Sequence, residues 1–167
     1  QGPSGGTVDS APSDLEADTS PDSGAVDAGP VPSDQGPAPV PDSAVTTEAL
    51  TALDVVYLEV ENQALGMDVR VPAGPGPFPM VVIVHGGAFF MGDKNGGNAR
   101  AWAELLPTVG IASSTVNYRL TRDFDSAEIF PKPLQDVKCA IRWLRARAGA
   151  YRLNPEAFGV LGGSAGG

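Results

Sequence analysis

Met80-Val81-Val82-Ile83-Val84-His85-Gly86-Gly87-Ala88-Phe89 is the stretch on which the fold turns. Five apolar residues without a polar interruption suit a strand buried on both faces, as in a parallel sheet covered by helices; a strand with one wet face would alternate. Pro75, Pro77 and Pro79 lead the chain into this strand, and a glycine-rich loop over residues 86–97 leads it out. Gly86 and Gly87 give that loop backbone angles other residues rarely adopt, and room for another segment to approach.

Upstream, residues 55–60 and 64–71 carry β-branched and alternating character around Glu61-Asn62, which predicts a leading antiparallel hairpin. Downstream, Asn98 is placed to cap a helix whose apolar positions are Trp102, Leu105 and Leu106, with Pro107 and Gly110 ending it. Residues 111–117 form a second strand. A longer helix follows, with Pro131 or Pro133 in its first turn and one stripe of Leu134, Val137, Ile141, Leu144 and Ala148. Arg142, Arg145 and Arg147 lie near its negative end, and Gly149 supplies the stop. Residues 158–161 make a third strand. Strand, helix, strand, helix, strand is the pattern of an α/β fold with a mostly parallel sheet and flanking helices.

The chain has 167 residues, with 20 acidic and 11 basic side chains and a formal net charge of −9. The charge is uneven. Residues 1–45 hold eight acids, eight prolines and no Lys, Arg or aromatic residue, so the remaining 122 residues are close to neutral. Such a stretch buries too little apolar surface to offset the entropy of ordering, and it reads as a disordered acidic linker ahead of a folded part over residues 46–167. An acidic tail on a neutral body excludes the basic footprint of a nucleic-acid binder. The longest apolar run, residues 80–84, is far short of the ~20 residues of a membrane span. One Cys and one His cannot build a zinc site or an internal disulfide, and no metal or other cofactor is expected. The chain opens with Gln1 and shows no signal-peptide core, so an export signal is absent or removed; the tether composition fits a secreted or surface-anchored protein.

Directly after residues 158–161 stand Gly162-Gly163-Ser164-Ala165-Gly166-Gly167. This matches G-x-S-x-G, a sharp strand-to-helix turn that lifts a serine hydroxyl clear of a sheet. Gly162 and Gly166 are the positions where the turn crowds the backbone and only glycine fits. His85-Gly86-Gly87-Ala88-Phe89 matches the HGG-type loop whose amides stabilise an oxyanion. A phosphate-loop reading fails: Gly87 and Gly92 are correctly spaced, but Asp93-Lys94 replaces Lys-[Ser/Thr].

With these two elements, Asn117-Tyr118-Arg119-Leu120 and the run Asp136-Val137-Lys138-Cys139-Ala140-Ile141-Arg142-Trp143-Leu144, the chain resembles the α/β-hydrolase superfamily over residues 55–167. The branch is that of the hormone-sensitive-lipase-like and related bacterial carboxylesterases. The resemblance implies Ser164 as nucleophile and an oxyanion hole from the amides of Gly87, Ala165 and either Gly86 or Ala88. It implies a triad in which an Asp or Glu and then a His follow the serine. The sequence departs from the family pattern at Ala88, often glycine, and at Gly163, often acidic. His85, the single histidine, precedes the serine and is assigned to fixing the loop. The missing base implies that these residues are the N-terminal part of a longer enzyme, ending at the nucleophile turn and inactive alone. The function expected is a serine carboxylester hydrolase for short-chain or carbohydrate-linked esters, its partner a small-molecule or carbohydrate substrate. An amide hydrolase of formamidase type and a non-catalytic binding protein on the same fold are the alternatives. Cys139 reads as a packing residue, Asp136 as a helix-terminus charge or a side chain that holds a loop by hydrogen bonds, and Arg119 as a partner for an acid or a side chain facing the loops near the site. Asp93-Lys94-Asn95 reads by default as a solvated turn, with a border of the acyl or alcohol pocket as its alternative.

Overall fold

The computed structural model describes residues 47–121 and 130–167; the linker expected over residues 1–45 lies outside them. Among the described residues, five strands form one sheet: β1 (Leu50–Val60), β2 (Gln63–Val71), β3 (Phe78–Val84), β4 (Ala112–Val116) and β5 (Leu153–Gly162), in the order β1-β2-β4-β3-β5. β4, β3 and β5 pair in parallel, β2 is antiparallel to β4, and β1 is antiparallel to β2. Four of the five strands therefore point the same way, with β2 reversed. Helix α1 (Gly97–Leu105) carries the chain from β3 to β4, and α2 (Lys132–Ala146) from β4 past β3 to β5.

The run at residues 80–84 explains the layering. Met80, Val82 and Val84 join the larger core with Ala112, Val116, Ala140, Leu144 and Ala148, on the α2 side. Ile83, with Val81 and Leu161, packs with Ala99 and Ala103 of α1 on the other side. Successive side chains of a strand point to opposite faces, so two apolar faces require an unbroken apolar run. The hairpin turns at Glu61 and Asn62, whose φ values are 52° and 62°, the paired left-handed geometry of a tight two-residue hairpin loop.

The helices depart from the sequence expectation in their faces and ends. α1 begins at Gly97 with Gly96 at its N-cap and no side-chain cap bond, so Asn98 lies inside the first turn instead of capping it. It buries Ala99 and Ala103, while Trp102 and Leu105 are 45% and 50% exposed. Small residues let the helix lie close on the sheet, where Ser113 Oγ donates to Ala103 O at 2.7 Å, and the large apolar side chains are turned away. α2 buries Pro133, Asp136, Ala140 and Leu144, and Leu134, expected in the stripe, is exposed. One residue of helical phase separates the two readings, and a buried acid decides it. The helix ends at Arg147 as C-cap; Gly149 has no left-handed φ, and the left-handed residue of this turn is Arg152 at φ 53°. Arg145 alone of the three arginines stands in the last turn, and it also lies over the Phe158 ring at 5.0 Å.

Candidate active site

The carboxyl ends of β3 and β5 are adjacent, with Val84 paired to Gly162. That register brings the loop after β3 against the turn after β5. Ser164 sits in this turn at φ 56°, a left-handed conformation unfavourable for a residue with a Cβ, typically by about 1–3 kcal/mol. A short 3-10 turn, Ser164–Gly166, follows, with Gly166 N–H donating to Gly163 O and Gly167 N–H to Ser164 O, both at 3.0 Å. The amides of Ser164 and Ala165 are donors in neither bond, as expected for the first amides of a helical turn. Ser164 is exposed.

The expected glycines are each explained by a close approach. A Cβ on Gly162 would overlap the Gly166 carbonyl, and one on Gly166 would lie 2.8 Å from His85 O and closer still to Val84 O. A Cβ on Gly86 would stand 2.9 Å from Gly163 O and 3.3 Å from Ser164 Cβ. The loop therefore touches the serine turn. Gly87 has φ 126°, and the next two residues, Ala88 and Phe89, are left-handed at 50° and 67°. Ala88 occupies the conformation in which glycine is favoured, and it does so exposed to solvent.

His85 is buried. Its Nδ1 donates to Gly86 O at 2.8 Å, its ring stacks on Tyr118 with centroids 4.3 Å apart, and its carbonyl accepts from Tyr118 Oη at 2.9 Å. These contacts fix the start of the loop.

Sequence reasoning missed how Asn117-Tyr118-Arg119 works as a latch. Asn117 Oδ1 accepts the Lys94 N–H at 2.7 Å, Tyr118 holds His85, and Arg119 forms a bidentate pair with Asp136 on α2, its closest bond 2.7 Å. Of the roles open to Asp136, the structure shows the one that holds a loop by hydrogen bonds; it also accepts the Arg119 backbone N–H at 2.9 Å. Tyr57 Oη donates to Asn117 O, and burial, reinforced by the Asp136 charge, raises its phenol far above the ordinary range. The solvated turn expected at Asp93-Lys94-Asn95 is overturned at its centre. Lys94 is 6% exposed, with Nζ 2.7 Å from Asp68 and 2.9 Å from Asp54. The signal available was Asp68 itself, a charge between Met67 and Val69 in a strand, which needs a partner when buried.

A cavity of about 650 Å³ opens between these elements. Ser164, Gly86, Gly87, Met91, Asp93 and Trp102 are among its lining residues. Among the described residues no group of three or more His, Cys, Asp or Glu is assembled to hold a metal ion, and no helix is long and apolar enough to cross a membrane.

An exposed serine on a strained turn after a parallel strand, faced by a glycine loop from the neighbouring strand, defines the α/β-hydrolase class. The BD-FAE family model matches residues 67–167, and the chain belongs to that family, within the carboxylesterase branch of the α/β-hydrolases. It is 33% identical over 92 residues to a versiconal hemiacetal acetate esterase of Dothistroma septosporum, covering 55% of this chain and 26% of that protein. Over 92 residues it is 32% identical to the probable carboxylic ester hydrolase LipM of Mycobacterium tuberculosis, covering 55% of this chain and 20% of that protein. Esterase Est2 of Thermogutta terrifontis, solved in its propionate-bound form, superposes with a TM-score of 0.59 at 26% identity, over 72% of this chain and 43% of that one. The chain thus spans about a quarter or less of the length of these two curated relatives.

Proposed function

We propose that the whole protein is a serine carboxylester hydrolase working through an acyl-enzyme, with Ser164 as nucleophile. The observation that carries this reading is Ser164 itself, left-handed and exposed on the turn out of β5, at a cavity it shares with the 86–97 loop. Ser164 Oγ attacks the ester carbonyl carbon while a base takes its proton. The tetrahedral oxyanion collapses, the alcohol leaves with that proton, and water then releases the acid by the same path in reverse. The developing oxyanion is assigned to the amides of Gly87, Ala165 and either Gly86 or Ala88. Each such donor is typically worth about 10²–10³ in rate. Two features support the assignment: the Ala165 amide is outside the hydrogen bonds of its own turn, and Ala88 adopts the left-handed angle that glycine favours.

The reading needs a base within reach of Ser164 Oγ. His85 is committed by its bond to Gly86 and its stacking on Tyr118, so the base and its carboxylate partner are assigned to residues outside this chain. The 167 residues alone are expected to be inactive. A cavity walled by Met91 and Trp102 suits a small acyl group on a short-chain or carbohydrate-linked ester, and the acetate in one relative's name and the propionate bound in the Est2 structure support the short chain. The Pro- and Asp-rich stretch at residues 1–45 is assigned to tethering a secreted or surface protein.

The test is pre-steady-state hydrolysis of p-nitrophenyl acetate by the whole protein. An acyl-enzyme gives a burst of nitrophenol matching the enzyme concentration, and Ser164→Ala removes the burst and lowers kcat by at least about 10³-fold. A burst retained in the variant would refute the assignment.

A further inference from the structure

We propose that Lys94 is a positioning residue for this reaction: its ammonium, clamped by Asp54 and Asp68, staples the far end of the 86–97 loop to the β1–β2 hairpin and so holds the loop amides against Ser164. The inference rests on the reading of Ser164 as nucleophile.

His85 bonds at the first end of the loop and packs against Gly92, and Phe89 O in its middle accepts the Thr121 N–H at 2.8 Å, but neither ties the second end to the hairpin. That second end is flanked by Gly92, Gly96 and Gly97, the residue type with most backbone freedom to lose. Lys94 is the single buried residue between His85 and Ala99. It bonds to three elements at once: Nζ to Asp54 at a bulge of β1, Nζ to Asp68 in β2, and its backbone N–H to Asn117 at the end of β4. The Asp54 N–H donates to Asp68 Oδ1 at 2.9 Å, and Arg70 stands 3.8 Å from Asp68, so the cluster is charge-balanced and internally tied. Burial works against the lysine charge, but hydrogen bonds and attraction from the two carboxylates outweigh it and raise the ammonium's pKa above the usual lysine value. An apolar side chain could fill the same space; a paired charge also selects one position of the loop, because only there are both carboxylates met.

The path from Lys94 to the serine consists of close backbone approaches. A Cβ at Gly92 would lie 2.6 Å from His85 Nδ1 and 2.7 Å from Gly86 O, and one at Gly87 would overlap the Met91 carbonyl. The loop is folded flat on itself, so a shift at residues 92–94 displaces Gly86 and Gly87. Gly86 in turn abuts Gly163 and Ser164. Misplaced amides weaken stabilisation of the transition state more than binding of the neutral ester.

The test uses the whole protein and p-nitrophenyl acetate. Lys94→Met, close in length and without charge, should lower kcat by about tenfold or more while KM stays within about threefold, and Lys94→Arg should recover part of the loss. In the same Lys94→Met sample, hydrogen exchange at residues 86–93 should quicken while exchange in α2 is unchanged. A folded Lys94→Met with parental kcat, or with parental exchange in the loop, overturns the inference. Should Lys94→Met fail to fold, Asp54→Asn decides: it removes an exposed carboxylate, leaves Asp68, and must still lower kcat and quicken loop exchange. Parental behaviour in Asp54→Asn then overturns it. If the parent shows no Ser164-dependent hydrolysis, the esterase reading fails on its own, and the exchange measurement alone supports or overturns the staple.

Discussion

Replacing Asp136 with Ala removes a carboxylate with no solvent exposure that accepts the backbone N–H, Nε and Nη2 of Arg119. The guanidinium, 12% exposed, stays behind with its charge and donors unmet on that side. Breaking a buried pair at one partner typically costs about 3–5 kcal/mol, because the remaining charge keeps its desolvation penalty. For a domain of this size class a kilocalorie corresponds to about 2–4 °C, so Asp136→Ala should lower Tm by roughly 10 °C. The exposed side of the same network sets the contrast. Arg119 also reaches Glu61 at 3.1 Å, and Lys132 meets the same carboxylate oxygen at 3.1 Å, but Glu61 is in solvent. Glu61→Gln should leave Tm unchanged within error, and the double variant Arg119→Met/Asp136→Leu should recover part of the loss. Thermal melts followed by circular dichroism on the whole protein are sufficient. A Tm fall below about 2 °C for Asp136→Ala would mean that α2 is held to β4 by apolar packing and that the ion pair is incidental.

Three further outcomes follow from the geometry. Thr115 Oγ1 is buried in β4 without a hydrogen-bond partner among the described residues, so Thr115→Val, which keeps the shape, should stabilise the protein by about 1 kcal/mol in a denaturant titration. Gly166→Ala forces a methyl against the carbonyls of Val84 and His85 and should abolish hydrolysis through displacement of the serine turn; parental kcat/KM would show that the turn is not tightly held. The Lys94 pKa is raised above its ordinary 10.5, so the stability it contributes is full below that pH and is lost as pH climbs through the higher, folded-state value. The stability gap between parent and Lys94→Met, read by urea titration, should be constant from pH 7 to about 9 and should close only beyond the ordinary lysine range.

What could be read from the sequence follows from what local pattern encodes. The strand at residues 80–84 was legible because both of its faces are apolar, unlike the equally buried β4 with Ser113, Ser114 and Thr115, and the Gly162–Gly166 spacing because only glycine tolerates those approaches. The hairpin was legible because alternating, β-branched runs flank Glu61-Asn62. α1 was misread because its burial rests on Ala99 and Ala103, residues too small to stand out, while Trp102 draws the eye and lies half-exposed at the cavity instead of in the core. A loop-holding role for Asp136 was open in the sequence but its partner was not legible, and Lys94 was hidden more deeply. A charged residue reads as a surface residue unless its partner is known, and the partners lie 17 positions away for Asp136 and 26 and 40 away for Lys94. Only the fold brings them together.

The central claim is that Ser164 is the nucleophile of an ester hydrolase, and covalent labelling tests it most directly. The whole protein is treated with a fluorophosphonate, digested and mapped by mass spectrometry, in parallel with Ser164→Ala. The account predicts one labelled peptide, carrying the adduct on Ser164, with ester hydrolysis lost in step with labelling and neither label nor hydrolysis in the variant. A label that persists in Ser164→Ala, or hydrolysis that survives full labelling of Ser164, would contradict it.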